Sequence, residues 1–423
     1  MRARAKIILG LLAVGVFVLI ARPAQALTII TNDIIANTTW NLVGSPYVVQ
    51  NDIIVDFGAT LTIDPGVIVK FSGPDSYSFS DIEIYGKLIA EGTADKQIYF
   101  TGFLDDSVGG DTNGDGPPVP NLNAFYGRWG GLTFIFADVS SIKNANFYWA
   151  RTALFVAGTD LNISDSGFEN NFKHIYAGDG SEILATNLTL FNSKYESILI
   201  SESFFTGGNI LIEDTRDLNA INIWGGSDLT LSNSIIRNNN SNISVRVDEP
   251  DIHFSGVSID NIPGYGVSAG GPAIIDLNNV TITNINSIRA DAISAYFPGT
   301  VLNVIDSVFD TGGRDGIGIN DNVIADIENT VIKNFDGAGL SDWGGVTINL
   351  DGVQIFDNNY GVYSEYDSRF PDSVYYATNS VISGNALYGA WADVLTPIDL
   401  SGVWWGDASG PYHPVLNPAG LGN

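Results

Sequence analysis

From about residue 137 onward one short pattern keeps returning along the chain. It reads small or β-branched, any residue, large apolar, polar or aromatic, then often Asn or Asp. The large apolar residues fall at Phe147, Phe168, Leu190, Ile212, Ile236, Ile259, Ile282, Phe309, Ile332, Ile355, Ile382 and Trp404. Their spacings are 21, 22, 22, 24, 23, 23, 27, 23, 23, 27 and 22 residues, and the two long intervals have the size of loop insertions. Two residues before these anchors stand Ser166, Leu188, Ile210, Ser234, Val257, Val280, Ser307, Thr330 and Val353, which by strand alternation share the inward face. Two residues after come Asn170, Asn192, Asp214, Asn238, Asn261, Asn284, Asn334 and Asp357, residues that tolerate left-handed backbone at a tight corner. A second apolar cluster follows about eight residues on, as at Ile198, Val267, Ile317 and Leu340.

Two or three short strands per repeat with no helical period predict one coil of a parallel solenoid. No coil can bury its inward side chains alone, whereas stacked coils pair each strand with its equivalent above and below. The expected fold class is all-β: a parallel β-helix, a single-stranded solenoid of about 15 coils, making a rod roughly 70 Å long. An antiparallel propeller or sandwich is the alternative, and it needs reversing hairpins and a longer period. Upstream, the run Gly58–Phe71 gives two alternating strands around Asp64-Pro65-Gly66, and Gly86–Thr93 with Gln97–Thr101 completes another coil.

The first 26 residues carry a different pattern. Arg2, Arg4 and Lys6 precede an apolar run from Ile7 to Ala21, and Ala24-Gln25-Ala26 supplies a small-x-small cleavage site. This predicts a secretory signal peptide, the alternative being an uncleaved anchor; the run is shorter than the roughly 20 residues a spanning helix needs. Export to the cell surface or the medium follows, with no transmembrane segment in the mature chain. The 423 residues hold 19 Lys plus Arg against 47 Asp plus Glu, a net charge of −28. That sign excludes binding to nucleic-acid phosphates. The chain has no cysteine, so it has neither disulfides nor thiolate zinc sites.

The Leu61–Phe71 stretch, Arg128-Trp129-Gly130-Gly131-Leu132-Thr133-Phe134, and the tail Trp404-Trp405-Gly406-Asp407-Ala408-Ser409-Gly410-Pro411-Tyr412-His413-Pro414 are three distinctive segments. They resemble secreted bacterial right-handed parallel β-helix proteins of the pectate-lyase-like superfamily, which implies that the solenoid here is a right-handed parallel β-helix. The resemblance covers nearly the whole mature chain and is specific for fold, weak for activity. Such relatives run a little beyond the tail motif, which implies here a truncated product or a frayed last coil. The expected organisation is a signal peptide at 1–26, opening coils at 27–101, an Asp/Gly/Pro-rich insert at 102–128, central repeats at 129–400 and a tail at 401–423.

The resemblance also raises the question of catalysis. Polygalacturonase-type hydrolases of this fold carry Asn-Thr-Asp, Asp-Asp, Gly-His-Gly and Arg-x-Lys elements. The three histidines here, His174, His253 and His413, lie in no Gly-His-Gly, and Arg314-Asp315-Gly316-Ile317 echoes only an Asp-Gly. The Arg-x-Pro-x-x-Arg of pectate lyases is missing as well. No catalytic residue is assigned.

Residue chemistry leaves two candidate sites. In the insert, Asp111-x-Asn113-x-Asp115-Gly116 matches the first half of a calcium loop, with oxygens converging on a hard cation and glycine allowing the turn. Position twelve is Leu122, not a bidentate Glu, so Asp105 or Asp106 and main-chain carbonyls are expected to complete the shell. The expected cofactor is a structural calcium ion; the alternative is a solvated Asp/Gly turn. The second candidate is the outward row that follows the apolar anchors: Tyr148, Glu169, Phe191, Glu213, Arg237, Asp260, Asp310, Lys333, Phe356 and Trp405. Aromatics and carboxylates in one row suit a sugar-binding groove, the alternative being a solvated acidic face. Glu213 and Asp260, two coils apart at roughly 10 Å, sit at the upper edge of the carboxyl separations of inverting glycosidases.

The expectation is an exported, non-catalytic, monomeric β-helix module that contacts a polysaccharide or other cell-envelope glycan. The alternative is a polysaccharide lyase or glycoside hydrolase.

Overall fold

Each inward apolar anchor lies beside the one a repeat earlier. The computed structural model describes residues 27–72, 80–116, 129–240, 243–393 and 398–422. The predicted leader and the insert's second half, from Pro117 to Arg128, lie outside the described residues. Strands from successive coils pair in parallel to build three sheets of sixteen, fourteen and fourteen strands, in about 15 coils. Neighbours in a sheet are three strands apart in the chain, which is the signature of a continuous coil rather than of hairpins. The protein is a parallel β-helix. Apart from one 3-10 turn, Leu42–Gly44, no helix occurs among the described residues, and none there is long and apolar enough to cross a membrane.

The first sheet runs from Thr28–Ile30 to Val403–Trp404. Its inward row is the predicted one: Phe147 pairs with Phe168, then Leu190, Ile212, Ile236, Ile259, Ile282, Phe309, Ile332, Ile355 and Ile382. All are buried. Each such side chain contributes about 1.5–3 kcal/mol on leaving water, and each needs the coils above and below to do so. Phe100, Phe147 and Phe168 stack along the axis with centroids 4.9 and 4.7 Å apart. The last anchor needs correcting by one residue. Val381 pairs with Trp404, so the row continues to Trp405, which packs on the core while Trp404 is half exposed. The tail's close-set tryptophans make the spacing alone ambiguous.

Local chemistry explains the rest of each coil. Asn170, Asn192, Asp214, Asn238, Asn261, Asn284, Asn334 and Asp357 all adopt positive φ, between 51° and 62°, so the predicted corner residues do turn the chain. Their amides bond from coil to coil, Asn192 to Asn170 and Asn261 to Asn238. The small inward residues two places before the anchors carry hydroxyls for a reason. Ser166 donates to the Ser164 carbonyl at 2.7 Å and accepts the Ala145 N–H at 3.1 Å, which satisfies main chain at the corner; Ser307 repeats the arrangement. The second sheet collects the other apolar cluster in one buried row that includes Ile198, Val267, Ile317 and Leu340.

Candidate functional site

The first sheet's outward row is assembled as the repeat predicts, except that Trp405 is not part of it: that residue takes the inward position after Ile382 and packs on the core. Tyr148, Glu169, Phe191, Glu213, Arg237, Asp260, Thr283, Asp310, Lys333 and Phe356 follow one another in register. Tyr148, Glu169 and Phe191 front a shallow cavity of about 410 Å³. Further along, the charges engage one another. Arg237 bonds Glu213 at 3.1 Å, and Lys333 lies 3.2 Å from Asp310. Asp260 accepts from Thr283 and Asn284, each at 2.7 Å. Arg237 therefore stands between Glu213 and Asp260, and the space between these carboxylates is filled by an ion pair.

The described part of the insert folds back over the start of this row. Lys70 precedes Thr101 in register, and both are fully buried. The Lys70 ammonium donates to the main-chain carbonyls of Asp105 at 2.8 Å and Gly110 at 2.9 Å, and burial lowers its pKa. Asp105 accepts from Thr101 and Ser107, both at 2.5 Å, and so turns away from its neighbours. Asp106, Asp111 and Asp115 instead converge, with carboxylate oxygens within 4.8 Å of one another. Asp106 Oδ1 is buried without a hydrogen-bond partner, and burial with the charges of Asp111 and Asp115 raises that carboxyl's pKa. Asp111 accepts the N–H groups of Gly114 and Gly116, and the Asn113 amide donates to Asp115 at 2.8 Å. An orphaned oxygen within a repelling carboxylate triad fits a hard cation. Of the five predicted ligands, Asp106, Asp111 and Asp115 come together, Asn113 braces one of them, and Asp105 does not join.

A different cluster stands on the outward face of the second sheet. The carboxylate of Asp291 is fully buried and is gripped by the Arg314 guanidinium, Nε to Oδ1 at 3.1 Å and Nη2 to Oδ2 at 2.9 Å. Tyr296 OH donates to the same Asp291 Oδ2 at 2.6 Å. Arg314 Nε also reaches Asp315 Oδ2 at 3.1 Å, and Asp315 accepts the Ala338 N–H at 2.7 Å and the Ser341 hydroxyl at 2.6 Å. Burial and the neighbouring charge of Asp315 push Asp291 up to about 6, while Arg314 opposes them. The arginine is raised above its ordinary range by Asp291, against the cost of its own burial.

The carboxylates spend their lone pairs internally, so the cluster presents a guanidinium. Arg314 keeps about a third of its side chain in solvent, and its Nη1 has no partner among the described residues. Its guanidinium carbon lies 5.0 Å from the Trp343 ring centre, and Tyr296 meets that ring edge-on at 5.9 Å. Trp343 is held by its own loop. Buried Asp342 accepts from Ser373, Tyr375 and the Gly344 N–H, and Gly344 and Gly345 turn the chain at φ +100° and +75°, where a side chain would be strained. The same sheet row continues from Ser341 to Tyr363 and Trp391, whose rings stack at 4.6 Å. A rigid cation beside half-buried aromatic faces suits a ligand with acceptor oxygens and a flat apolar side.

Of this cluster, the sequence points only to the Arg314-Asp315 pair, and there only as the echo of an Asp-Gly element. Asp291 and Tyr296 fall in the 27-residue interval between Ile282 and Phe309. That extra length was the available signal, because an insertion in a solenoid leaves the stack and can cover a face. On the third sheet, Asp276, Asn303, Asp326, Asn349 and Tyr376 line a cavity of about 670 Å³. There the amides of Asn303 and Asn349 donate to Asp276 and Asp326, so these groups brace one another along the stack.

No family model matches the sequence, and no curated protein matches it. Solved structures do. A periplasmic alginate epimerase, AlgG, in a double-mutant form, aligns over 87% of this chain and 84% of its own at TM-score 0.46 and 10% identity. A GH87 alpha-1,3-glucanase catalytic domain in complex with nigerose aligns over 85% and 70% at TM-score 0.45 and 11% identity. The Agl-KA catalytic domain aligns over 82% of this chain but 63% of its own length, at TM-score 0.42 and 11% identity.

Proposed function

We propose that this is an exported glycan-binding β-helix whose ligand lies along the outward face of the second sheet. The observation that carries the reading is Arg314, fixed by two buried carboxylates and lying against Trp343, with the Tyr363–Trp391 stack on the next coils. Sugar rings present an apolar face to aromatics and a rim of hydroxyls to charged donors, and this arrangement offers both. A fixed guanidinium loses little freedom on binding, which favours affinity. Retention on immobilised polysaccharides, lost with Trp343→Ala in a folded variant, supports the proposal; retention unchanged by that substitution refutes it.

One observation favours a catalytic reading beside it. Asp291 and Asp315 both bond Arg314 Nε at 3.1 Å, so two carboxyl oxygens lie within twice that distance, and one of the groups is held near pH 6. Two neighbouring carboxyl groups, one of them raised by burial, are a usual basis of acid–base glycoside chemistry. New reducing ends or unsaturated products that vanish with Asp315→Asn in a folded variant favour the enzyme.

Calcium at Asp106, Asp111 and Asp115 completes the proposal. The ion neutralises three crowded carboxylates and stiffens the loop over Lys70 and Thr101. Its role there is structural.

A further inference from the structure

The same row of the second sheet carries a second aromatic site far from Arg314. Phe155 and Tyr176 pair in register and stack at 4.6 Å. At the neighbouring corner Phe172 and Tyr195 meet edge-on at 5.6 Å, with the Lys194 ammonium 5.0 and 5.4 Å from their ring centres. Between these two aromatic walls lies a cavity of about 420 Å³, to which Arg151 and Lys173 also contribute. Cations are scarce in this chain, at 19 of 423 residues, and three of them stand around this one cavity. Lys173 is fixed by Glu196 at 3.2 Å, whose side chain is almost wholly buried.

The register connects the two places without a break. From Tyr176 the row passes through Leu199, Asn222, Arg246, Ser268 and Ser294 to Gly318, on the strand that directly follows Arg314. Six coil steps at the ordinary strand spacing make roughly 29 Å. Both ends offer half-buried aromatic rings beside a cation held by a carboxylate, and both lie on one face of one rigid sheet.

We infer that the Phe155–Tyr176 cavity is a second saccharide subsite, and that the ligand is one long, extended glycan chain bridging it to Arg314 and Trp343. This inference rests on the glycan reading of the Arg314 site and goes further, since it fixes the ligand as a polymer. A pyranose adds about the rise of one coil, so on the order of six to eight rings are needed to reach both ends. Below that length a chain occupies one subsite at a time. Above it the second contact becomes intramolecular, and affinity gains by a factor on the order of 10². The fixed distance makes that gain a threshold rather than a slope.

The test is calorimetric titration of the full chain with size-fractionated ladders of glucose, N-acetylglucosamine and uronic-acid oligomers, from three to twelve rings. The expected result is a step of roughly a hundredfold in affinity between about five and nine rings. Tyr176→Ala is expected to remove the step and leave trisaccharide binding at the Arg314 end unchanged. Phe155→Leu serves as a second variant should Tyr176→Ala fail to fold. An affinity that rises only in proportion to ring number, or a step that survives both substitutions, overturns the bridging inference. The reading beneath it fails separately, when Trp343→Ala leaves trisaccharide binding intact. Absence of binding by every ladder overturns both.

Discussion

Arg314 and Asp291 form a two-pronged ion pair in which the carboxylate is fully buried while a third of the guanidinium side chain remains in solvent. Asp291 thus works as an anchor beneath an exposed cation. Tyr296 and Asp315 complete the anchoring from two sides. Burial of the acid, not of the base, leaves the positive end available.

Removing one member of such a pair strands the other. Asp291→Ala is expected to destabilise the coils around residue 291 by about 3 kcal/mol, because Arg314 then loses its principal, buried partner. Arg314→Lys, which keeps the charge but loses the fork, is expected to cost less stability and still weaken glycan retention about tenfold. Urea melts and affinity electrophoresis separate the two effects. Equal stability loss in both variants contradicts this division of roles.

Two carboxyls make stability fall as pH rises. Burial and the charges of Asp52 and Glu83 push Asp81 up to about 7, and Asp291 stands near 6, against an ordinary 3.8 for each. Between roughly pH 4 and 7 the folded chain therefore holds more protons at these sites than the unfolded chain, and their contribution declines with pH before levelling off. Buried His174, lowered to about 3, acts in the opposite sense from pH 3 to 6.5. The difference between wild type and Asp81→Asn isolates one group. The variant is expected to melt a few degrees higher at pH 7.5 and equally at pH 4. A difference that is constant with pH refutes the assignment.

The stacked rings inside the first sheet set the stability of the central coils. Phe147 has Phe100 on one side and Phe168 on the other and is wholly buried. Phe147→Ala is expected to cost about 3–5 kcal/mol, read from denaturant melts. A cost below 1 kcal/mol means that the neighbouring rings close the gap.

Calcium binding to the Asp106 loop is expected to raise the melting temperature in millimolar calcium, and Asp111→Asn to abolish the rise. Magnesium, which keeps its waters and prefers a stricter octahedron, is expected to do less. No response to calcium up to millimolar concentration removes the ion from the account.

How much of this the sequence disclosed follows from what a repeat encodes. The inward anchors, the left-handed corner at Asn170 and its equivalents, and the outward row through Glu213 and Asp260 all follow from period and alternation. Contacts between coils inside a row are also within reach of the register, but the Arg237–Glu213 pair does not emerge when the row is read for its aromatics and carboxylates. The Asp291–Arg314–Trp343 cluster was not legible. Only Asp291 falls in an interval that breaks the period, whereas Arg314 and Trp343 lie in ordinary 23-residue repeats, and their meeting depends on side-chain contacts that period and alternation do not specify. In the calcium-like motif, spacing identified Asp111 and Asp115 but left the choice between Asp105 and Asp106 open, which the hydroxyls of Thr101 and Ser107 decide by taking Asp105.

The central claim is that the second-sheet face around Arg314 and Trp343 binds glycan. The most direct measurement is calorimetric titration of the wild type and a folded Trp343→Ala variant with one polysaccharide that the wild type retains. The account predicts a saturable heat in the wild type and at least a tenfold weaker affinity in the variant, with the melting temperature unchanged. Equal affinities in the two proteins contradict it.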